Sequence, residues 1–317
     1  MKDLIKNKKV AITGGAGFIG SNLARFLCEQ NEVIIIDNLI LGYEKNFEDI
    51  KESITFCNLN INETKKVTEA LSGVDFVFHM AALGSVPRSV ADPITTNIAN
   101  IDGTLSLLVA ARDAGVKRVI YSASSSAYGE SKVLPKVEDM PSDPVSPYGV
   151  TKYVGELYCR VFSKVYEIET VSLRYMNIFG PYQNIQGAYA AVIPKFIDAI
   201  LKGKQPTIYG DGEHTRDFTF IDNALQANIR AAITEGISGE MFNIACGQQT
   251  SLLELLEKIN KALGTSVQPI FEEARKGDIK HGVANISKAK EVLGYNPDTD
   301  LDEQIKKTAE WYRKELI

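Results

Sequence analysis

The N-terminal part of the chain alternates short β-branched apolar runs with longer stretches in which apolar residues recur every three to four positions. The short runs predict strands at 9–13, 32–37, 54–58, 76–79 and 118–122, and the longer stretches predict helices at 19–29, 65–71 and 96–114. Strands that alternate with helices are joined by crossovers and therefore run parallel. We expect an α/β fold, a doubly wound parallel sheet with helices on both faces.

The pattern changes in the second half of the chain. A helix is predicted at 147–166 and a strand at 169–173, after which Gly, Pro, Tyr and Gln cluster at 180–189. From 252 onward the periodicity is mostly helical. We therefore predict two domains, 1–177 and a smaller, mostly helical one at 178–317, with a segment at about 217–246 that is able to return to the first sheet.

A glycine-rich turn joins the first predicted strand to the first predicted helix. Gly15, Gly17 and Gly20 match G-x-G-x-x-G, and Gly14, Gly17 and Gly20 match a three-residue spacing. Glycines at these positions let the backbone turn tightly and approach a pyrophosphate, which the N–H groups of the helix N-terminus then bind.

A carboxylate follows the glycines at the expected distance. Asp37 ends the second predicted strand about 20 residues after Gly17, just before Asn38. A carboxylate there accepts hydrogen bonds from ribose hydroxyls and repels a 2′-phosphate, whereas a purely structural Asp37 would only cap the turn. The sequence predicts a dinucleotide site with NAD, rather than NADP, as the cofactor.

A second constellation combines hydroxyls with a lysine. Tyr148 and Lys152 lie one helical turn apart, and the serine run that includes Ser124 follows the strand at 118–122, at an edge where such sheets bind ligands. A free tyrosine has a pKa near 10, so a phenolate base needs positive charge, which Lys152 and an oxidised nicotinamide would supply. We predict that Tyr148 removes a hydroxyl proton, that Ser124 hydrogen-bonds the same oxygen, and that hydride leaves the same carbon.

Composition removes several other classes of function. The net charge of −5 gives no basic field for nucleic acid or an anionic membrane, and no apolar run reaches the roughly 18–20 residues that span a bilayer. The four cysteines and three histidines are scattered, so we expect neither a metal site nor a disulfide framework. Without a signal-type segment at its start, the chain is expected to be cytoplasmic.

Taken together, the motifs resemble the extended short-chain dehydrogenase/reductase family, and more closely its nucleotide-sugar 4-epimerases. The resemblance covers essentially the whole chain and rests on TGGAGFIGSNL at 13–23, HMAA at 79–82, SASSSAYG at 122–129, YGVTK at 148–152, LRYMNIFGP at 173–181 and GDGEHTRDFTFIDN at 210–223. It implies a Rossmann domain that binds NAD, a UDP-sugar substrate, and a homodimer formed through the helices at 96–114 and 147–166.

The resemblance also implies residue roles. Besides Asp37, Tyr148 and Lys152, the cofactor contacts would be Gly14, Gly17, Phe18, Ile19, Gly20, Asn38, Asn60, Ile61, Ala81, Ala82, Leu83, Asn97, Tyr175 and Ile178. Besides Ser124 and Tyr148, the substrate contacts would be Ser85, Val86, Arg88, Ser125, Ser126, Asn177, Val192, Tyr209, Arg216, Arg275, Asp278 and Gly282. Planar guanidinium groups such as those of Arg216 and Arg275 suit diphosphate oxygens.

Two departures from related patterns carry information. Asn60 stands where the family usually has Asp near the adenine, which weakens that one contact. Related 4,6-dehydratases carry an Asp-Glu pair in the serine segment, where this chain has Ser125 and Ser126, so dehydration lacks its acid and base.

The sugar is indicated by Gly282 and by the segments at 85–89 and 190–194, which resemble those of epimerases for N-acetylated hexosamines. In this family the residue at the position of Gly282 closes or opens the pocket beside the C2 substituent of the sugar, so the resemblance implies that the glycine leaves space for an acetamido group that a tyrosine would exclude. We expect interconversion of UDP-N-acetylglucosamine (UDP-GlcNAc) and UDP-N-acetylgalactosamine (UDP-GalNAc), with UDP-glucose not strongly rejected. The alternatives are a UDP-glucuronate 4-epimerase or decarboxylase, for which Arg88 could face C6, and a non-catalytic dinucleotide sensor, which the intact Ser124, Tyr148 and Lys152 disfavour.

Overall fold

The computed structural model of the protein describes residues 4–131, 133–185, 191–273 and 280–316. Its strands are β1 Lys9–Thr13, β2 Glu32–Asp37, β3 Ile54–Asn58, β4 Phe76–His79, β5 Arg118–Ser124, β6 Glu169–Tyr175, β7 Ile178–Phe179, β8 Thr207–Tyr209, β9 Thr215–Arg216, β10 Thr219–Phe220, β11 Glu240–Ile244, β12 Thr250–Ser251 and β13 Ile270–Glu272. Its α-helices are α1 Phe18–Leu27, α2 Thr64–Ala70, α3 Val86–Ala91, α4 Pro93–Asn97, α5 Gly103–Asp113, α6 Pro147–Val165, α7 Val192–Leu201, α8 Ile221–Ile233, α9 Leu252–Leu263 and α10 Leu301–Leu316.

Seven strands form one parallel sheet in the order β11-β6-β5-β4-β1-β2-β3. Alternate side chains of its central strands enter two different cores. Val10 and Ile12 of β1 belong to one apolar cluster, and Ala11 belongs to the other, on the opposite face. Both faces are thus covered, as parallel sheets require. The predicted doubly wound Rossmann-type fold is confirmed.

The observed elements differ from the predicted ones where tertiary pairing extends or interrupts them. Strand β5 runs to Ser124 and β6 to Tyr175 because the two strands pair along their whole length, with Ser124 opposite Tyr175. The single helix predicted at 96–114 is instead α4, a wider π-helical turn at Ile98–Asp102, and α5. Asp92 caps α4 by accepting a hydrogen bond from the Thr95 N–H, and Pro93 occupies its first turn, so the helix begins earlier than predicted.

The segment at 217–246 contributes directly to the main sheet. Strand β11 pairs with β6 and forms the edge of the sheet, with Ile244 opposite Tyr175. The remaining short strands form three two-stranded sheets, β10 with β7, β12 with β9, and β13 with β8. The division into domains at 177 stays a prediction.

No helix in the described part of the chain is long and apolar enough to cross a membrane.

Candidate active site

The register of the sheet brings the ends of four strands together at one edge. Thr13 lies opposite His79, His79 lies opposite Tyr121, and Ser124 lies opposite Tyr175. Residues that follow β1, β4, β5 and β6 therefore meet at the carboxyl edge of the sheet, where open α/β sheets bind ligands.

The glycine-rich turn packs so closely that most of its glycines cannot be replaced. Gly14 has φ +68°, and a Cβ there would lie 2.6 Å from the Ala81 nitrogen. A Cβ at Gly20 would overlap the Gly14 carbonyl and lie 2.7 Å from the Gly15 Cα. Gly17 is different, because a Cβ there would meet only the Gly14 carbonyl oxygen, at 3.2 Å, among the described atoms.

The N-terminus of α1 presents backbone N–H groups that no described side chain caps. Gly17 is the N-cap residue, and the first turn holds no acidic residue. Phe18 and Ile19 in that turn are half-buried against the core, which fixes the direction of the helix. Uncapped N–H groups at a helix start fit the phosphates of a dinucleotide.

Asp37 has a structural role at this loop. Its Oδ2 accepts a hydrogen bond from the Ala16 N–H at 3.0 Å, and its Oδ1 accepts one from the Leu39 N–H at 2.8 Å. Burial raises the pKa of the carboxyl, and these backbone bonds oppose that rise. A carboxylate retains further lone pairs, so ribose binding by Asp37 fits the geometry and stays a prediction. Asn38 is exposed, and its Oδ1 accepts from the Ile40 N–H.

The residues of this edge fit NAD as the cofactor. The loop glycines leave the backbone uncovered by side chains, and the α1 N-terminus offers uncapped N–H groups. Asp37 ends the neighbouring strand. When bound, NAD supplies the acceptor and donor of hydride, for which no side chain of the chain substitutes.

Helix α6 carries the predicted acid–base pair. Ser146 caps the helix by accepting a hydrogen bond from the Gly149 N–H at 3.1 Å, and Pro147 occupies its first turn. One turn apart on this helix, Tyr148 hydrogen-bonds Ser124, and the buried Lys152 donates from Nζ to the Ser122 carbonyl at 2.6 Å. The structure therefore brings Ser124, Tyr148 and Lys152 together.

The electrostatics of this pair differ from the expectation in one respect. Burial raises the pKa of Tyr148, with the Ser124 hydrogen bond opposing the rise. Burial lowers the pKa of Lys152 to about 8, although the Glu156 carboxylate acts in the opposite direction. Within the described residues, Lys152 does not offset the effect of burial on Tyr148, and an oxidised nicotinamide would add further positive charge beside the phenolate.

Two serines complete the hydroxyl cluster. The Ser124 Oγ donates to the Ser126 Oγ at 3.1 Å and accepts from the Ser126 N–H at 3.2 Å. Ser125 begins the 3₁₀ turn 125–128 and is half-buried. Neither Ser125 nor Ser126 carries a charge, in keeping with the lack of dehydratase acid and base.

The predicted cofactor contact at Asn97 stays a prediction, and the structure draws attention to a nearby amide, Asn100. Asn97 is exposed on α4, whereas Asn100 in the π-helical turn is 1% exposed. The Asn100 Oδ1 accepts from the Leu83 N–H at 2.7 Å, and its Nδ2 donates to the Thr151 Oγ1 at 3.0 Å. Sequence reasoning missed Asn100, although an amide within an apolar helical stretch was the available signal.

His79 was also given no role by the sequence. Its ring nitrogens lie 2.7 Å from the Thr13 hydroxyl and 2.9 Å from the Thr104 hydroxyl. Burial, with a smaller contribution from Lys152, lowers its pKa to about 3, so the ring is neutral. Its two hydrogen bonds link the ends of β1 and β4 to α5, and the ring stays uncharged.

The remaining predicted cofactor residues divide between edge and core. Ala81 and Ala82 are half-buried just after β4, and Leu83 is held by Asn100. Asn60 is half-buried and accepts from the Asn62 N–H, while Ile61 is a core residue packed where a Gly103 Cβ would stand.

Tyr175 is buried, its hydroxyl accepts from the Asn228 amide at 2.7 Å, and burial raises its pKa. Ile178 lies in β7, beside the cavity described next.

A cavity of 590 Å³ gathers four of the predicted substrate residues, Asn177, Val192, Tyr209 and Arg216. The Arg216 Nη1 donates to the Thr215 carbonyl at 2.9 Å and to the Lys280 carbonyl at 3.4 Å. Asn177 has φ +37° and donates from Nδ2 to the Asp217 carbonyl at 3.0 Å. An arginine and an amide beside a cavity of this size suit a nucleoside diphosphate.

The other predicted substrate residues lie on separate segments. Ser85 caps α3 by accepting from the Arg88 N–H at 3.2 Å and has φ +147°, which is rare for a residue other than glycine. Val86 is exposed and Arg88 half-buried. Gly282 is half-buried and donates its N–H to the Thr215 carbonyl at 3.1 Å. Arg275 and Asp278 lie outside the described residues.

A buried ion pair that the sequence did not reveal lies next to the turn that follows β5. Arg174 of β6 donates to both carboxylate oxygens of Glu156 on α6, at 2.7 and 2.6 Å. The same guanidinium lies over the ring of Tyr128, at 4.4 Å from its centroid. Tyr128 ends the turn that carries Ser125 and Ser126, so the pair links that turn to α6 and β6.

Within the described ranges, no group of three or more His, Cys, Asp or Glu side chains is placed to hold a metal ion.

A bare glycine loop at a helix start, together with serine, tyrosine and lysine at the same sheet edge, defines a nicotinamide-dependent enzyme of the short-chain dehydrogenase/reductase class. The chain belongs to the NAD dependent epimerase/dehydratase family, whose model matches residues 10–245.

Its similarities place it among the UDP-sugar 4-epimerases, which are isomerases. A UDP-N-acetylglucosamine 4-epimerase from Methanobrevibacter ruminantium M1, solved in complex with UDP-N-acetylmuramic acid, is 40% identical with a TM-score of 0.95 and covers 98% of this chain and 100% of that one. A UDP-glucose 4-epimerase from Thermotoga maritima, solved with UDP-glucose, is 36% identical with a TM-score of 0.92, at 98% and 100% coverage. A UDP-glucose 4-epimerase of Mycolicibacterium smegmatis is 36% identical over 313 residues, which span 96% of this chain and 98% of that protein. The predictions of family, enzyme class and NAD are confirmed.

Proposed function

We propose that the protein interconverts UDP-GlcNAc and UDP-GalNAc by reversible epimerisation at C4, through a transient 4-keto sugar. The observation that carries the choice of sugar is Gly282. A Cβ built on this residue meets no atom of the described residues within 4 Å. The space beside it is open to an acetamido group at C2, whereas a large side chain would fill it.

The acid–base chemistry is assigned to Tyr148. Its deprotonated oxygen, held by Ser124, would take the proton of the 4-OH as hydride passes from C4 to bound NAD, and would return that proton when hydride comes back to the opposite face. Ser124 hydrogen-bonds O4 throughout. Lys152 lies one turn behind and provides positive charge close to the phenolate.

The nucleotide end of the substrate is assigned to the 590 Å³ cavity. Arg216 and Asn177 would bind the diphosphate, with Val192 and Tyr209 beside the uracil. Holding the diphosphate while leaving the sugar unclamped lets the keto sugar turn about its linkage and present its other face to the nicotinamide.

The decisive experiment is product analysis by ¹H NMR. Purified protein is incubated separately with UDP-GlcNAc, UDP-glucose and UDP-glucuronate, and the C4 epimer of each is quantified. We expect UDP-GalNAc from UDP-GlcNAc and slower formation of UDP-galactose. Conversion of UDP-glucuronate alone would replace this proposal by the uronate epimerase or decarboxylase, and no conversion of any sugar would leave a dinucleotide-binding protein without this activity.

The variant Gly282→Tyr sharpens the substrate assignment. The open space around Gly282 predicts an unchanged melting temperature, a large loss of UDP-GlcNAc turnover and a retained UDP-glucose turnover. The ratio of the two activities is its own control. An unchanged ratio would contradict the placement of Gly282 beside C2.

We also propose a homodimer formed by the helices around 96–114 and 147–166. Support comes from exposed apolar side chains on neighbouring helices, with Ile94 72% and Ile98 47% exposed on one, and Val161 47% and Val165 63% exposed on α6. Such a patch usually marks an interface. Light scattering should give twice the chain mass for the wild type and the chain mass for Ile94→Glu, and a monomeric wild type would exclude the dimer.

A further inference from the structure

The segment 280–285, which contains Gly282 and is here called the arm, is held to two parts of the chain. On one side the Thr215 N–H donates to the Lys280 carbonyl at 2.9 Å, and the Gly282 N–H donates to the Thr215 carbonyl at 3.1 Å. On the other side Lys136 donates its N–H to the Val283 carbonyl, and its own carbonyl accepts from Asn285, both at 2.8 Å. The position of Gly282 is therefore set by the chain next to Arg216.

One buried carboxylate joins the arm to the nucleotide cavity. Asp217 is 0% exposed, and its Oδ1 accepts from the Cys246 N–H at 2.9 Å. Its Oδ2 accepts from the Gly247 N–H at 3.0 Å and from the Ala284 N–H, on the arm, at 3.3 Å. Its carbonyl accepts from the amide of Asn177.

Asp217 is thus bonded to, or adjacent to, three of the segments that are assigned to the sugar nucleotide. Arg216 precedes it in the chain, Asn177 bonds its carbonyl, and the arm bonds its carboxylate. Loss of the carboxylate charge would weaken its bonds to three backbone N–H groups, of which that of Ala284 is buried.

We propose that Asp217 is a positioning residue for substrate binding. It holds Arg216 and Asn177 in register with the arm, and so sets the affinity for the sugar nucleotide without taking part in the chemical step. This inference rests on the proposed function, because it assigns the cavity and the arm to a UDP-sugar.

The protonation of Asp217 should then be visible in binding. Burial raises the pKa of its carboxyl to about 6, although the backbone N–H bonds oppose that rise. As the pH falls through this value, one oxygen becomes a hydroxyl that faces N–H donors, and the bonds to Gly247 and Ala284 weaken. The arm and the cavity lose their common anchor, so the affinity should fall on the acid side.

Other groups face the carboxylate or the arm and have to be separated from it. Burial raises the pKa of the Cys246 thiol to about 12, and that of the Tyr295 hydroxyl also rises with burial, so both stay neutral below pH 8. Lys280 carries charge on the arm and pairs with Asp211 at 3.5 Å. His281 also lies on the arm, 3.0 Å from the Thr215 hydroxyl.

The variant Asp217→Asn keeps the shape and mimics the protonated state. Loss of the negative charge and of one acceptor oxygen should raise KM for UDP-GlcNAc roughly tenfold at pH 7.5, with kcat changed less than about twofold. Between pH 5 and 7.5 the KM of the wild type should fall with rising pH, and that of Asp217→Asn should change little. Asp222→Asn is the matched control, since Asp222 lies in the first turn of α8, outside these contacts.

Calorimetric titration of UDP-GlcNAc into the NAD-loaded Tyr148→Phe protein, with and without Asp217→Asn, separates binding from turnover. The phosphates of UDP-GlcNAc form a diester and do not titrate in this range. Equal affinities with and without Asp217→Asn would overturn the inference while leaving the proposed function intact. Absence of binding by Tyr148→Phe at every pH would instead contradict the proposed function.

A folding failure of Asp217→Asn does not remove the test. The same titration is then run on Tyr148→Phe combined with His281→Asn, which removes the nearby histidine. Affinity that falls as the pH drops through about 6 supports the role of Asp217. Affinity that is flat from pH 5 to 7.5 overturns it.

Discussion

Lys152 and Asp217 are two buried charged groups that the protein holds mainly with backbone atoms, in two different regions. Lys152 donates to one carbonyl at 2.6 Å, and Asp217 accepts from three N–H groups at 2.9 to 3.3 Å. Burial drives both toward their neutral forms, with the pKa of Lys152 near 8 and that of Asp217 near 6. Each region therefore contains a charged group whose burial is energetically unfavourable, close to the step that it is proposed to support.

The two regions differ in what holds the charge in place. Lys152 lies on a 19-residue helix packed on the sheet, with the Glu156–Arg174 pair one turn further along. Asp217 lies between two short strands, and its partners come from distant loops. The chemical step is thus supported by regular elements, and substrate choice by loop contacts. Changes near Lys152 should alter kcat or stability, and changes near Asp217 should alter KM.

The largest effect is expected for Tyr148→Phe. Without the hydroxyl, no group takes the 4-OH proton, so kcat should fall by about a thousandfold or more, while NAD remains bound. Conversion is measured by NMR and bound NAD by release on denaturation. Tyr153→Phe on the same helix is the control and should keep full activity. Turnover of Tyr148→Phe at the wild-type rate would exclude the mechanism.

The next effect concerns the glycine loop. A methyl group at Gly20 would overlap the Gly14 carbonyl and the Gly15 Cα, whereas at Gly17 the nearest described atom is 3.2 Å away. Gly20→Ala should therefore lose NAD affinity by about a hundredfold, as an overpacked site that costs 1–3 kcal/mol would. Gly17→Ala should retain folding and lose less affinity. Fluorescence titration with NADH measures both, and equal losses would contradict the packing of the loop.

A smaller effect of opposite sign is expected for Lys152→Met in the cofactor-free protein. The folded pKa lies near 8 and the ordinary value is 10.5, so the cost of burying the ammonium is present below pH 8 and is relieved as the pH rises toward 10.5. The variant should be more stable than the wild type by about 2 kcal/mol at pH 7, and this gain should shrink by pH 9.5. Its turnover should nevertheless be severely reduced.

Urea unfolding at the two pH values measures this difference. Lys164→Met, at an exposed position in the last turn of the same helix, is the control and should show no such pH-dependent gain. A Lys152→Met protein that is less stable than the wild type at pH 7 would show that the ammonium stabilises the fold.

The smallest effect is expected for Arg216→Lys. Lysine keeps the charge but loses the planar fork, one arm of which donates to Thr215 and Lys280. KM for UDP-GlcNAc should rise about fivefold with kcat nearly unchanged, in steady-state assays. Arg112→Lys, at a half-buried position near the end of α5 and outside the cavity, should behave as wild type. A fall in kcat at constant KM would contradict the assignment of substrate binding to the region of Asp217 and of the chemical step to the region of Lys152.

The sheet edge was predictable from the sequence because its geometry follows from local rules. Strand ends in a parallel sheet meet at one edge, and a four-residue spacing places Tyr148 and Lys152 on one helix face. Asn100 was not found, because the π-helical turn changes the phase of the helix and periodicity assumes a constant one. Asp217 could not be found as an anchor, since its contact with Ala284 joins segments far apart in the chain.

The π-helical turn at Ile98–Asp102 also changes which side chains of the helix that covers the sheet point inward. One extra residue rotates everything beyond it by roughly 100° relative to an uninterrupted α-helix. With that rotation, Asn100 faces Leu83 and Thr151, while Leu107 and Ala111 still face the core. An uninterrupted α-helix would present only one of these faces to the protein interior. With the π-helical turn, one face lies at the predicted cofactor edge and another packs in the apolar core.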